Sequence, residues 1–546
     1  MTENAAMRHR WLYGPVPDLL FGCGLLYAIA SLLFATLGGA VFQAIPLAVP
    51  VVLIALISAP HYGATLLRVY DRRSDRRAYF LFSVVATALI IAIFGISLVD
   101  RWIGSIFATV YLSWAGWHYT GQNYGISMMF LRRRGIDPTT LIRRTLYASF
   151  LLSYLLVFLV MHGQQAPVAD PTLEIRLIPL AIPERFNAIA VPIVGIAYGA
   201  ATLVSFGLLI RRAGQLGDLL PSILIAGIQA LWWSIPYAAR HFDLFRSVVP
   251  LSADLRGAFF TWVALAHAGQ YLWITSYYAR AAPGFDGQGR YYGRVLLAGS
   301  AVWTLPALAF APGSSEIDWN FALLLAAAVN VHHFVLDGAI WKLRHTKIAR
   351  VLIADEAEVV TGEREGGLLR IAVWTVAALS LALTVGSLAD RFYVFPAAMK
   401  NGRLAAAAVS LDRQGWLGVT HSVSRFRLGR RFEAVGDLAE ASAQYELSAR
   451  IEPRVEPFRR LIMLYDRTGN GAGFVRACDG LFELDYVSRP LPTPAAETGP
   501  VPRAFREACI RVARDARTPL GPPAGAVEDA RQDAAPRAPL TRYGRG

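Results

Sequence analysis

Charge is scarce in this chain. Of 546 residues only 17% are Asp, Glu, Lys or Arg, against 55% hydrophobic, a balance that excludes an ordinary soluble globular protein and predicts a polytopic membrane protein. Cysteine is scarcer still, at three. Cys23 falls in the first apolar segment; Cys478 and Cys509 lie near the C-terminus and are candidates for one disulfide if that region is exported. A glycine-rich phosphate loop, a G-x-S-x-G elbow and an H-E-x-x-H helix are also missing, so none of the chemistries those motifs support has a foothold here.

What the chain does have is long apolar runs, near residues 18–39, 43–67, 78–98, 103–130, 146–162, 187–210, 218–238, 257–279, 293–311, 320–341 and 369–388. Each is long enough to cross a bilayer as a helix, which predicts an all-α transmembrane bundle of about 11 spans. The first run follows a basic start, but it is long and leads within a few residues into another, so it reads as a retained span and not a cleaved signal. A net charge of +14 raises the question of a nucleic-acid partner. The distribution answers it: Arg8 and Arg10, the Arg68–Arg77 and Arg132–Arg144 clusters, Arg211/Arg212, Arg280/Arg290/Arg294 and Lys342–Arg350 flank the spans. All fall on one side if the N-terminus is cytoplasmic, as positively charged loops do. No nucleic-acid partner is expected.

An odd span count then places the C-terminal region outside the cytoplasm. The expected organisation is a cytoplasmic segment 1–17, a membrane domain 18–388, an extracytoplasmic helical domain 389–518 and a disordered Pro-, Ala- and Gly-rich tail 519–546. Between His421 and Pro457, Leu428, Gly429, Phe432, Gly436, Leu438, Ala441, Tyr445 and Pro453 stand at the offsets of a tetratricopeptide repeat, and a weaker copy follows. Two copies cannot bury their apolar faces alone, so flanking helices over 402–416 and 503–515 are expected to cover them. Such modules usually bind proteins, so a protein partner is expected.

Four apolar segments each contain histidine: His61, His118, His267 and the pair His332–His333. Ionisable groups are rare in hydrocarbon, and imidazole is the commonest ligand for zinc, copper and iron. Counting from the basic ends puts the histidines within roughly 10 Å of one another in depth, so they can converge. Four residues after each, on the same helix face, stand Thr65, Gln122, Tyr271 and, after His333, Asp337; all can hydrogen-bond, as groups that orient metal ligands do. His332 and His333 diverge by about 100° around a helix, and the sequence does not choose between them. Bis-histidine haem ligation, a proton relay and plain interhelical hydrogen bonding remain as alternatives to a metal site. His61 follows Pro60 and could serve a carbonyl freed at a kink. His9, His162, His241, His345 and His421 stand at span ends or outside and are expected to be solvated.

Several stretches resemble, in the same order, the membrane-embedded β-carotene-cleaving dioxygenases of the Brp/Blh type, from bacteria and archaea. They are Pro60-His61-Tyr62-Gly63, His118-Tyr119-Thr120-Gly121, the Trp232-Trp233-Ser234-Ile235-Pro236 span followed by His267, and His332 with Asp337. The chain has Tyr271 where that family has a second histidine, and Leu66 and Gln122 where it has acids. The resemblance covers roughly residues 43–347. It implies a non-haem iron centre in an apolar cavity of a bacterial inner (cell) membrane, using dioxygen on a lipid-soluble isoprenoid or fatty acyl substrate. On this reading His61, His118, His267 and His332 bind iron, and His333 and Asp337 support it or hold a second metal. Tyr271 and Gln122 position oxygen or substrate. The competing expectation is a membrane transport or envelope-assembly protein that recruits partners through exported repeats. A lipid-linked glycosyltransferase ranks last, because the external loops lack an acidic pair.

Overall fold

A backbone crossing hydrocarbon must satisfy its own N–H and C=O groups, and a helix does this without a neighbour. In the computed structural model of the protein, every regular element among the described residues is helical. Those residues are 10–37, 45, 48–70, 77, 79–163, 178–234, 256–310, 320–341, 346–354, 367–419, 421–485 and 501–514. The expected tail 519–546 and His9, His241, His345, Ile235 and Pro236 lie outside them. The chain divides into two compact units, meeting between Gly386 and Ser387.

In the first unit, α1 (Pro15–Gly22) and α2 (Leu25–Leu37) meet at a bend of 64°, with Gly24 at the turn in a left-handed conformation, φ 76°. There follow α3 (Ala48–Tyr70), α4 (Leu81–Ser97), α5 (Arg101–Arg133), α6 (Thr140–His162), α7 (Glu184–Ile210) and α8 (Leu216–Ser234). After these come α9 (Arg256–Arg280), α10 (Gln288–Phe310), α11 (Asn320–Ile340), the short α12 (Thr346–Ala354) and α13 (Leu368–Lys400), whose residues from Ser387 on belong to the second unit. Among the described residues, seven helices are long and apolar enough to cross a membrane, or eight if the bent pair is one span. The other three expected spans are helices too: α4 is apolar but shorter, and α5 and α9 carry His118, Gln122, Asn123, His267 and Gln270 along their length.

The closest helix contact positions the site. A Cβ on Gly63 of α3 would run into the Val295 carbonyl of α10, and one on Gly299 of α10 into the Ala59 carbonyl of α3. Backbones approach this closely only where both partners lack side chains. Pro60, in the same turn, has no N–H to give. The Leu56 carbonyl four residues before it accepts instead from the Tyr292 hydroxyl of α10, so α3 is fastened to α10 just ahead of His61. Trp232 and Trp233 of α8 are 1% and 2% exposed and pack with Tyr119 and Phe334, as core residues and not an interfacial belt.

In the second unit, α14 (Leu404–Gly415), α15 (Ser422–Ala434), α16 (Leu438–Ile451), α17 (Val455–Thr468), α18 (Gly471–Asp485) and α19 (Arg503–Arg514) share one apolar core. Consecutive helices pair, α15 with α16 and α17 with α18. Gly429 makes the first pairing close: a Cβ there would stand 2.7 Å from the ring of fully buried Tyr445. Asp437 caps α16 by accepting the Glu440 N–H at 3.1 Å, which supplies one of the orphan donors of a helix start. Leu411 of α14 and Phe505 of α19 join the same core, so both expected flanking helices pack on the paired helices. The disulfide expectation is corrected: no bond joins Cys478 and Cys509, and both thiols are fully buried as apolar packing groups of this core.

Candidate metal centre

Four helices of the first unit each bring one imidazole to a common point: His61 from α3, His118 from α5, His267 from α9 and His333 from α11. Ring centroids lie 4.5 Å apart for His61–His333, 5.0 Å for His118–His267, 5.1 Å for His118–His333 and 5.6 Å for His61–His267. His267 and His333 lie further apart, at 6.4 Å. His61, His267 and His333 offer ligand atoms within 4.8 Å of one another, and so do His118, His333 and Asp337.

Hydrogen bonding fixes which atoms face inward. A carbonyl can only accept, so the 2.6 Å contact of His61 Nδ1 with the Ser58 carbonyl puts the proton on Nδ1 and a lone pair on Nε2. His333 Nδ1 lies 2.9 Å from Thr65 Oγ1. The Nε2 atoms of His61, His118 and His333 and both ring nitrogens of His267 are buried with no hydrogen-bond partner. Orphaned buried polar atoms are costly, and four imidazoles turning such atoms toward one another is an arrangement that could hold a cation. His267 is held by stacking on Tyr119, at 4.2 Å between centroids, and His118 by stacking on Phe334 at 4.4 Å.

Asp337 completes the donor set. Its Oδ2 lies 3.4 Å from His333 Nε2 and 3.8 Å from His118 Nε2. Its Oδ1 accepts from the Tyr271 hydroxyl at 2.7 Å and from Thr65 Oγ1 at 3.2 Å. The Trp341 indole N–H donates to the Tyr271 oxygen at 2.9 Å, so one run of donors, Trp341 to Tyr271 to Asp337, aims the carboxylate. Among the described residues Asp337 pairs with no Lys or Arg; a cation held by the cluster would supply the charge that an ionised buried carboxylate needs. Three imidazole nitrogens in the one group, and two nitrogens with a carboxylate oxygen in the other, are donor sets that first-row transition metals accept. Both donor groups use His333, whose Nδ1 is already bonded to Thr65, so its one inward nitrogen serves a single ion.

The structure turns His333, and not His332, toward the other histidines. His332 turns away from the cluster, with Nε2 2.9 Å from Thr87 Oγ1 and 3.4 Å from the Tyr70 hydroxyl, while His333 faces inward; the 100° step between neighbours decides it. Gln122 is engaged with α9, donating to the His267 carbonyl and to Gln270 Oε1, both at 3.1 Å. Tyr271 buttresses Asp337. His162, expected to be solvated, is 2% exposed: Nδ1 accepts the Leu180 N–H at 3.2 Å and Nε2 meets Ser113 at 3.0 Å. Fully satisfied, it is the interhelical glue that the bland reading predicts. His421 is half-buried. Trp341 gave no signal in the sequence beyond its aromatic character, because its role lies in an indole N–H reaching another helix.

A cavity of about 260 Å³ opens on the His118 and Asp337 side of the cluster, lined mainly by apolar groups such as Phe334, Ile274 and Met129. The chain matches no protein-family model, no curated protein and no solved structure.

Proposed function

We propose that this protein is a membrane-embedded, mononuclear non-haem iron oxygenase acting on a lipid-soluble substrate, an isoprenoid or a fatty acyl chain. One observation carries the reading: imidazoles from four separate helices turn buried, unpartnered nitrogens toward one another beside a carboxylate, in two possible ligand groups that share His333. His61, His118, His267, His333 and Asp337 hold the ion. Iron there supplies the capacity to activate dioxygen, which apolar carbon chains need in order to react. The chain's own residues do the rest: Ser58 and Thr65 set the imidazole orientations, Tyr271 and Trp341 aim Asp337, and the apolar wall receives substrate and keeps water out. The likeness to the Brp/Blh dioxygenases favours iron over its neighbours.

The same reading gives about 11 spans, the N-terminus in the cytoplasm and the 389–518 region outside it as a tetratricopeptide-like module. Helices at every expected span and paired helices over 422–485 support it. That paired-helix unit also favours a second reading, a transport or envelope-assembly protein recruiting a partner through its repeats. Elemental analysis and oxygen uptake on the detergent-purified protein, beside a His118→Ala/His267→Ala variant, separate the two. Near-stoichiometric iron without a haem band, lost in the variant, supports the oxygenase. Equal, negligible metal in both after anaerobic iron reconstitution ends it, and loss of cellular function on deleting 402–518 alone then favours the partner-recruiting reading.

A further inference from the structure

No charged residue stands between Arg370 and Asp390 of α13. Trp374 and Tyr393, near the two ends of that apolar run, are 19 residues apart, about 28 Å at 1.5 Å per residue. A hydrocarbon core is about 30 Å thick, and Trp and Tyr gather at its two boundaries. Asp390 therefore marks where α13 leaves the hydrocarbon, and the helix runs on to Lys400.

Beyond Lys400 the chain turns back. The Arg403 N–H donates to the Ala398 carbonyl at 2.9 Å, and α14 returns along α13 until Arg413 reaches Asp390, its Nε donating to Oδ2 at 2.9 Å. Ser410, one turn earlier, donates to Asp390 Oδ1 at 3.1 Å. Trp416 lies three residues past Arg413, about 4.5 Å further on, so the end of α14 comes level with the last apolar turn of α13. There the Trp416 side chain is 59% exposed. The charges beside it are already paired inside the unit: Arg413 with Asp390, and Asp412 with Arg425 at 2.6 Å. A large aromatic ring with neutralised neighbours, at the depth where a span ends, suits the amphipathic boundary layer and not open water.

We infer that the Trp416 end of α14 is a membrane-contact surface: the indole enters the interfacial layer of the bilayer and, with the Asp390–Arg413 pair, holds the second unit against the lipid. The second unit then does not swing freely on the end of α13. The inference rests on α13 spanning the membrane and not on the iron reading, and it is the same whichever side of the membrane that unit faces.

The test uses full-length protein in phosphatidylcholine nanodiscs, with single cysteines added to carry a nitroxide label. The three native thiols are fully buried and stay unlabelled, which the parent protein checks. Collisions with oxygen report lipid, and collisions with an aqueous nickel chelate report water. The oxygen-to-chelate ratio at Trp416→Cys is expected to be at least tenfold above that at Val435→Cys, a position 69% exposed at the far end of α15. Equal ratios at the two positions overturn the contact, and so does exclusion of both reagents from 416, which would mean that protein covers it. Leu379→Cys, at a position 60% exposed in the middle of α13, tests the span itself. Lipid-like values there with aqueous values at 416 overturn this inference alone, whereas aqueous values at 379 overturn the span as well. Because the label replaces the indole, fluorescence supplies a second reading. The emission lost in Trp416→Phe should be quenched at least twofold by a nitroxide near the headgroup end of an acyl chain and not by aqueous iodide; the opposite pattern overturns the contact.

Discussion

His61 gives its Nδ1 proton to the carbonyl of Ser58, one turn back on its own helix, at 2.6 Å. Ser58 closes a π-turn, Ile54–Ser58, of the kind that often marks functional sites. The carbonyl that Pro60 leaves without its usual partner is taken up by Tyr292, so His61 does not have to serve it. The ring thus has one nitrogen bound and one free, the state a metal ligand requires.

The histidine pair offers the sharpest discrimination. His333→Ala should reduce bound metal to a small fraction of the parent, whereas His332→Ala should retain it and cost about 1 kcal/mol for its lost hydrogen bonds. Metal per protein, measured by mass spectrometry on both variants, checks this; retention in His333→Ala with loss in His332→Ala would reverse the assignment.

Tyr271→Phe removes the hydroxyl that donates to Asp337 and accepts from Trp341. Metal affinity should fall about 10–100-fold, the usual effect of losing a group that orients a ligand. Trp341→Phe acts one step further out and should weaken binding less. Competition titration against a chelator of known affinity reads both, and unchanged affinity in Tyr271→Phe removes its supporting role.

Gly63→Ala should destabilise the first unit by about 3 kcal/mol or more, the upper end of overpacking costs, because the new methyl meets the Val295 backbone carbonyl and not a movable side chain. Gly125→Ala, on a helix face with nothing within 4 Å, serves as the control. Thermal melts in detergent should separate them clearly; equal melting temperatures contradict the α3–α10 contact.

Outside the membrane segments, His421 has its pKa lowered to about 4 by burial and by the nearby Arg391 and Arg425 cations. The unfolded chain binds a proton near the ordinary value of about 6.5 while the folded one does not. The stability that the neutral ring contributes is therefore complete above pH 6.5 and lost as pH falls toward 4. His421→Gln should flatten that part of the stability profile of the full chain, and a slope unchanged between pH 6.5 and 4 counts against the burial of His421.

The helical class was legible because hydrocarbon leaves a lone backbone segment no other way to satisfy its polar groups, so apolar length alone places helices over all the expected spans. The pairing of α15 with α16 was legible for a related reason: Gly429 and Tyr445 stand at spacings that a tight helix pair makes complementary. His61, His118 and His267 stood out because histidine in an apolar run is costly enough to demand a reason. The solvated reading of His162 failed because a span end can still be covered by a loop, here by residues 178–182.

By itself the amino-acid sequence determined the all-α architecture, the four histidine-bearing helices and the polar residue one turn beyond each histidine, since these follow from composition and a period of 3.6 residues. Only the tertiary structure decided that His333 and not His332 faces the others, that Tyr271 and Trp341 serve Asp337, and that a largely apolar cavity meets the cluster. Those choices depend on how helices far apart in sequence are rotated about their axes. Contacts such as Gly63 against Val295 set that rotation, and local residue order does not encode it.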